Sequence, residues 1–110
     1  MRVAVVGSRT LRVPDLGRYL PAGTTAIISG GAAGVDTDAA RYAAAAGLPL
    51  TVIRPDYARY GRSAPLHRNL QIIDSCDLVL AFWDGSSRGT AFVIDRCRKI
   101  GKPLRIFRSL

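Results

Sequence analysis

Glutamate is absent from this 110-residue chain: all eight acidic residues are aspartates, set against 14 arginines and two lysines. Any carboxylate chemistry therefore falls to aspartate. Cysteine is scarce as well. Cys76 and Cys97 each lie in or beside an apolar helical stretch and lack metal-ligand spacing, so no metal site is expected and both read as buried free thiols. No apolar run approaches the roughly 20 residues that a bilayer requires. Met1-Arg2 leads straight into Val3-Ala4-Val5-Val6, too short for a signal-peptide core, so the expected location is the cytoplasm, with no membrane partner. Aromatic residues make up only 7% of a chain that is 48% hydrophobic, which points to a core of Ala, Val, Ile and Leu. Internal repeats, low-complexity tracts and linkers are also missing. One domain over residues 1–110 is expected, since a chain of this length buries roughly two-thirds of its unfolded surface.

What is present is an alternation. Five short, apolar, β-branched runs, Arg2 to Val6, Thr25 to Ser29, Leu50 to Arg54, Leu78 to Phe82 and Leu104 to Phe107, are separated by segments of helical character. That pattern predicts an α/β domain: a Rossmann-like three-layer α/β/α sandwich around a parallel five-stranded sheet. A short helix is predicted after Pro14, ending before Pro21-Ala22-Gly23. A second helix spans Val35 to Ala46 with Val35, Ala39, Ala43 and Ala46 inward. A third runs from Pro65 to Ser75 and buries Leu66, Leu70 and Ile73. The last covers Gly89 to Ile100, buries Val93, Cys97 and Ile100, and turns Asp95, Arg96, Arg98 and Lys99 to water. In open sheets of this kind ligands bind beyond the carboxyl ends of the strands, where strand order switches.

The loops at that end carry the unusual residues. Gly7-Ser8-Arg9 follows the first strand and offers a close-approach glycine, a hydroxyl and a guanidinium suited to phosphate. Ser29-Gly30-Gly31-Ala32-Ala33-Gly34 runs directly into the Val35 helix, so its backbone N–H groups and the helix end converge on one place, a geometry that binds anions. It is neither a P-loop nor a G-x-G-x-x-G fingerprint. Asp36 then reads either as a helix-stabilising carboxylate or as an acceptor for a ligand hydroxyl. A second glycine and hydroxyl loop, Trp83-Asp84-Gly85-Ser86-Ser87-Arg88-Gly89-Thr90, opens the last helix and is expected beside Gly7-Ser8-Arg9 across the switch point. Trp83 reads equally well as a lid or as a core residue.

Between Pro55 and Asn69 the chain reads as one long loop holding Arg59, Arg62 and Arg68, Tyr57 and Tyr60, and the single histidine, His67. Such loops are often functional, and tyrosine faces with nearby arginines suit single-stranded nucleic acid. His67 has no evident orienting partner for a catalytic role. The formal charge of +8 favours an anionic partner, although the arginines are spread along the whole chain.

In order, Gly7-Ser8-Arg9, Ser29-Gly30-Gly31-Ala32, Gly34-Val35-Asp36, Pro55-Asp56-Tyr57, Tyr60-Gly61-Arg62, Arg68-Asn69, Asp77-Leu78-Val79-Leu80-Ala81-Phe82 and Gly89-Thr90 resemble a SLOG-superfamily domain of the small YspA type, related to cpYpsA. The resemblance spans nearly all of the chain and implies a Rossmann-like domain that binds nucleotides or nucleotide-derived signals. More distantly the sequence is similar to the DNA-processing protein A family, which binds single-stranded DNA, and to the LONELY GUY phosphoribohydrolases. The latter carry Pro-Gly-Gly-x-Gly-Thr-x-x-Glu with a catalytic glutamate. Here Gly85-Ser86-Ser87-Arg88-Gly89-Thr90-Ala91-Phe92-Val93 replaces it, and Val93 stands where the glutamate would be. Only Asp36 or Asp84 could substitute as catalytic base.

These observations favour a domain that binds or senses a nucleotide or nucleotide-derived ligand and requires no other cofactor. The expected ligand-binding residues are Gly7, Ser8 and Arg9; Ser29, Gly30, Gly31, Ala32, Gly34 and Asp36; Arg68 and Asn69; and Asp84, Gly85, Ser86, Ser87, Gly89 and Thr90. The alternatives are a hydrolase of a nucleotide-derived substrate and a single-stranded nucleic-acid binder. A homo-oligomer is the expected assembly.

Overall fold

A computed structural model describes residues 1–108. Its five strands, β1 (Arg2–Gly7), β2 (Ala26–Ser29), β3 (Leu50–Val52), β4 (Leu78–Phe82) and β5 (Leu104–Phe107), form one parallel sheet in the order β3-β2-β1-β4-β5. The helices are α1 (Val35–Ala46), α2 (Tyr57–Tyr60), α3 (Ala64–Ser75) and α4 (Arg88–Ile100). This is the Rossmann-like arrangement expected from the strand and helix alternation. No helix among the described residues is long and apolar enough to cross a membrane.

The sheet is buried on both faces because each central strand is apolar at successive positions. Side chains alternate between faces along a strand. Val3, Val5, Ile27, Leu78, Leu80 and Phe82 accordingly face α1 and the segment around Leu16, packing with Val35, Ala39 and Ala43. Ala4, Val6, Ile28, Val79 and Ala81 face α3 and α4, meeting Ile72, Ile73, Val93, Ile94 and both thiols. Cys76 and Cys97 are buried and free, and burial pushes both thiols up, Cys97 to about 11. Tyr19 edges against Phe82 and Phe107, closing the α1 side at β5.

Three expectations are corrected. The residues after Pro14 make only a 3-10 turn, Leu16–Arg18. Between Pro55 and the expected Pro65 helix the chain is not an open loop: Asp56 caps α2 by accepting the Arg59 N–H, a 3-10 turn follows at Gly61–Ser63, and α3 begins at Ala64. Local capping and the stacking of Tyr60 on His67, 3.8 Å between centroids, make the segment helical. The inward faces of α3 and α4 include Ile73, Val93 and Cys97 as expected but differ at their edges. Ile72 and Ile94 are buried while Leu66 and Ile100 are over 40% exposed, and Ala46 also faces solvent. Asp95, Arg96, Arg98 and Lys99 are exposed, as the periodicity requires.

One ion pair was not legible in the pattern. Asp38, in the first turn of α1, is 4% exposed. It takes both Arg12 Nε and Nη2, the latter at 2.7 Å, and accepts the buried Val13 N–H. Arg12 first, then the Val13 N–H, hold its carboxyl below the usual aspartate range. The stabilisation is therefore complete above the unfolded aspartate pKa and is lost as pH falls through the lowered folded value. Asp38→Ala should cost about 1–3 kcal/mol at neutral pH by stranding the Val13 N–H and Arg12. In urea melts that deficit should shrink under acid conditions, and an unchanged midpoint at neutral pH would show that the pair does not hold the loop after β1.

Candidate functional site

At the carboxyl end of the sheet β1 and β4 finish together, Gly7 opposite Phe82. Ser8 extends the pairing past the strands: its N–H donates to the Phe82 carbonyl at 3.0 Å, and its hydroxyl accepts the Asp84 N–H at 3.1 Å. The two loops then part, one toward α1 and one toward α4. Between them lies a cleft of about 370 Å³, a size within the usual range for small-molecule sites.

Gly7 permits this packing. A Cβ there would stand 2.6 Å from Val35 Cγ2 and 2.7 Å from the Phe82 carbonyl oxygen, so the start of α1 could not approach β1. Gly34 does the same for the neighbouring loop. It holds φ +70°, and any side chain would run into the Arg9 backbone carbonyl.

The cleft gathers most of the residues singled out from sequence. Gly7, Ser8 and Arg9 line one side, Gly30, Ala32 and Asp36 another, Arg68 and Asn69 the α3 wall, and Asp84, Ser87, Gly89 and Thr90 the α4 wall. Thr10 and the apolar Val6, Pro65, Leu66, Ile72 and Val93 complete the lining. Ser29, Gly31, Gly34, Gly85 and Ser86 do not line this cleft. Ser29 is buried beneath it, and Gly34 supports the Arg9 segment. Gly85 lies against Arg108, and Ser86 serves Asp84. Gly31 lines an adjoining hollow of about 300 Å³ with Arg54, Pro55 and Tyr57, which shares Arg9, Gly30, Ala32 and Arg68 with the cleft. Arg54 was not anticipated. Its position at the exit of β3, on the carboxyl side of the sheet, was the available signal.

The two glycine loops differ in what their amides do. In the loop after β2, Gly31 N–H is taken by the Ser29 hydroxyl at 3.3 Å and Ala32 N–H by Asp36 Oδ2 at 3.0 Å. Asp36 and Asp38 also place two carboxylates in the first turn of α1, offsetting the positive end of that helix. The first turn of α4 contains no acidic residue. Its first N–H groups have no intrahelical acceptor, and Gly89, Thr90 and Ser87 bring them to the cleft wall.

Asp84 is a structural carboxylate. It accepts from the Ser86 and Ser87 N–H groups at 2.8 and 2.7 Å and from the Thr10 hydroxyl at 3.2 Å, and those amides above all hold its carboxyl down to about 2. Trp83 is likewise structural: its ring packs on the core and its indole N–H donates to the Ser87 carbonyl at 3.0 Å. Arg68 is held in the wall by bonds from Nη1 to the Gly30 carbonyl, 2.7 Å, and from Nε to Asn69 Oδ1, 2.8 Å. Arg59 lies over the Tyr60 ring, and neither Arg59 nor Arg62 lines the cleft. His67 is stacked under Tyr60.

Asp36 is the strained member. Burial raises its carboxyl pKa, against the pull of the Ala32 N–H, Arg68, Ser29 and Arg9. It is 8% exposed, yet it reaches the cleft.

No protein-family model and no curated protein matches the chain. Among solved structures, DNA processing protein A from Helicobacter pylori, described for its single-stranded DNA binding mode, aligns over 100% of this chain with a TM-score of 0.78 and 22% identity. This chain spans 66% of that chain's length. The likeness shows a shared fold.

The raised pKa of Asp36 has a definite sign. Its ionised form is disfavoured by folding, so stability drops as pH rises from the ordinary aspartate value through the raised folded one. Asp36→Asn keeps an acceptor for Ala32 N–H and removes the charge. Its melting temperature should exceed that of the unmodified protein at neutral pH, with the gap closing in acid below the ordinary aspartate pKa. A lower melting temperature at neutral pH would contradict this account of Asp36.

Proposed function

We propose that this chain binds a phosphorylated nucleotide or nucleotide-derived ligand in the cleft between β1 and β4, as a binding or sensing domain of the SLOG superfamily similar to the YspA type. The observation that carries the reading is the α4 N-terminus. Its first turn holds no acidic residue, Asp84 being occupied with the Ser86 and Ser87 N–H groups ahead of it, and it faces the same cleft as Arg9 and Arg68. Phosphate would take the Gly89 and Thr90 amides and the Arg9 guanidinium, since helix ends and arginine forks both favour it. Asp36 would accept a ribose hydroxyl, and Pro65 and Leu66 offer apolar surface to the base.

Binding is favoured over hydrolysis. Val93, standing where the LONELY GUY resemblance would require glutamate, is 1% exposed and apolar. The Asp84 carboxylate is already engaged by three donor residues, and a pKa of about 2 makes it a weak base.

At 100 times its dissociation constant such a ligand should stabilise the fold by about 2.7 kcal/mol. Arg9 makes no hydrogen bond to the protein through its guanidinium among the described residues and acts on it only through its attraction for Asp36, so Arg9→Ala should lower the unliganded melting temperature only slightly at neutral pH. It should weaken binding at least about tenfold, the lower end for a charge-assisted hydrogen bond. A nucleoside without phosphate should give no thermal shift. A panel of mononucleotides, dinucleotides, ADP-ribose and cyclic nucleotides that shifts nothing would overturn the proposal.

A second reading, single-stranded nucleic-acid binding, is favoured by the formal charge of +8 and by the fold shared with a DNA-binding protein. It predicts that the affinity for an oligonucleotide falls steeply between about 50 and 200 mM salt. Affinity that stays flat across that range excludes it.

A further inference from the structure

The adjoining hollow is chemically distinct from the cleft. Arg54 and Tyr57 line it and are absent from the cleft, while Arg9 and Arg68 line both. Arg54 runs over Gly31, where an added Cβ would stand 3.0 Å from its Nη1, and it has no carboxylate within salt-bridge distance among the described residues. Tyr57 is 60% exposed, an unusual state for a large aromatic side chain. Neither residue contributes to a core cluster of the fold. An unpaired guanidinium and an open aromatic face, sharing two further arginines with a phosphate-sized cleft, form a set suited to a second base and the phosphate that joins it to the first.

We infer that the hollow bounded by Arg54 and Tyr57 is a second nucleotide subsite, so that the ligand is two nucleotides joined by a phosphodiester. The inference rests on the reading of the cleft as a nucleotide-phosphate site. The linking phosphate lies at the junction, within the field of Arg9 and Arg68, and the second base stacks on Tyr57 beside Arg54. Two compartments of about 370 and 300 Å³ meeting at shared residues give each unit its own space. The same chemistry is offered by a free dinucleotide and by the 5′ end of a single strand.

The test is calorimetric titration of the full chain with the 5′-monophosphate of deoxyadenosine, the 5′-phosphorylated deoxyadenosine dinucleotide and a 5′-phosphorylated 12-mer of the same base. Wild type, Arg54→Ala and Tyr57→Ala are compared, each first shown by its thermal melt to be folded. The dinucleotide should bind at least about tenfold more tightly than the mononucleotide, as a stacked base and a paired phosphate would give. Each variant should lose most of that gain and keep the mononucleotide affinity. If the mononucleotide binds but the dinucleotide gains nothing, or the variants keep the full gain, the second subsite is overturned and the cleft reading stands. If no probe binds, both fall. A 12-mer equal to the dinucleotide supports the subsite with a strand end as its source, and a dinucleotide preferred to the 12-mer supports it with a free dinucleotide.

Discussion

Parallel pairing of β1 with β4 runs to the last residue of each strand, and Ser8 carries it one peptide further with both its N–H and its hydroxyl. The rest of the carboxyl face depends on this join. Because β1 is central and β4 lies on the side opposite β2, the chain leaving β1 turns toward α1 and the chain leaving β4 turns toward α4. A gap must open between them. Gly7 makes the gap narrow enough to be useful, since α1 begins in contact with the end of β1 only where no Cβ intervenes. Two helix starts and the flank of α3 then converge on a single cleft, an outcome of strand order and not of any one motif.

The electrostatics of that cleft are asymmetric. The α1 end is offset by Asp36 and Asp38, and the preceding loop uses its amides on Ser29 and Asp36, which rigidifies it. The first turn of α4 has no carboxylate of its own, and Asp84 binds the Ser86 and Ser87 N–H groups just ahead of it, leaving those of Gly89 and Thr90 at the cleft. One glycine loop is built for its own rigidity while the other presents its helix to a ligand. Arg68 is tied to the backbone of the first loop and stands in the wall of the cleft, so positive charge is placed there before any anion arrives. Preorganised charge of this kind reduces the ordering cost of binding. Asp36 sits at the balance point: buried, pulled toward ionisation by Arg68 and Arg9, and resisted by desolvation.

Much of this was legible in the residue order. The β-branched runs and the Ala-rich Val35 to Ala46 segment specified five strands and the main helices, because burial on both faces leaves a continuous apolar signal. Gly7, Ser8, Arg9, Gly30, Asp36, Arg68, Gly89 and Thr90 stand out in the sequence, and the fold brings them to one cleft. The segment from Pro55 to Ala64 misled, since its polar and aromatic composition resembles a loop while its capping and the Tyr60–His67 stack make it helical. On α3 and α4 Ile73, Val93 and Cys97 are buried as their spacing requires, but the pattern overran the contact at Leu66 and Ile100 and passed over Ile72 and Ile94, because a short amphipathic pattern does not fix the width of the buried stripe.

The sequence by itself determined the fold class and the concentration of glycine, hydroxyl and arginine at strand ends, because each follows from local hydrophobic period and turn chemistry. Only the tertiary structure decided which of those residues face a ligand. Asp84 and Asp36 are both aspartates beside glycine loops, yet one is saturated by amides and pulled to about 2 while the other is desolvated and pushed up. Arg54 and Arg59 both follow β3 closely, yet Arg59 lies on Tyr60 and Arg54 borders the hollow beside the cleft. The amides that saturate Asp84 lie only two and three residues on, but the burial that desolvates Asp36 and the approach of Arg68 across more than 30 residues are properties of packing, and no local pattern encodes them.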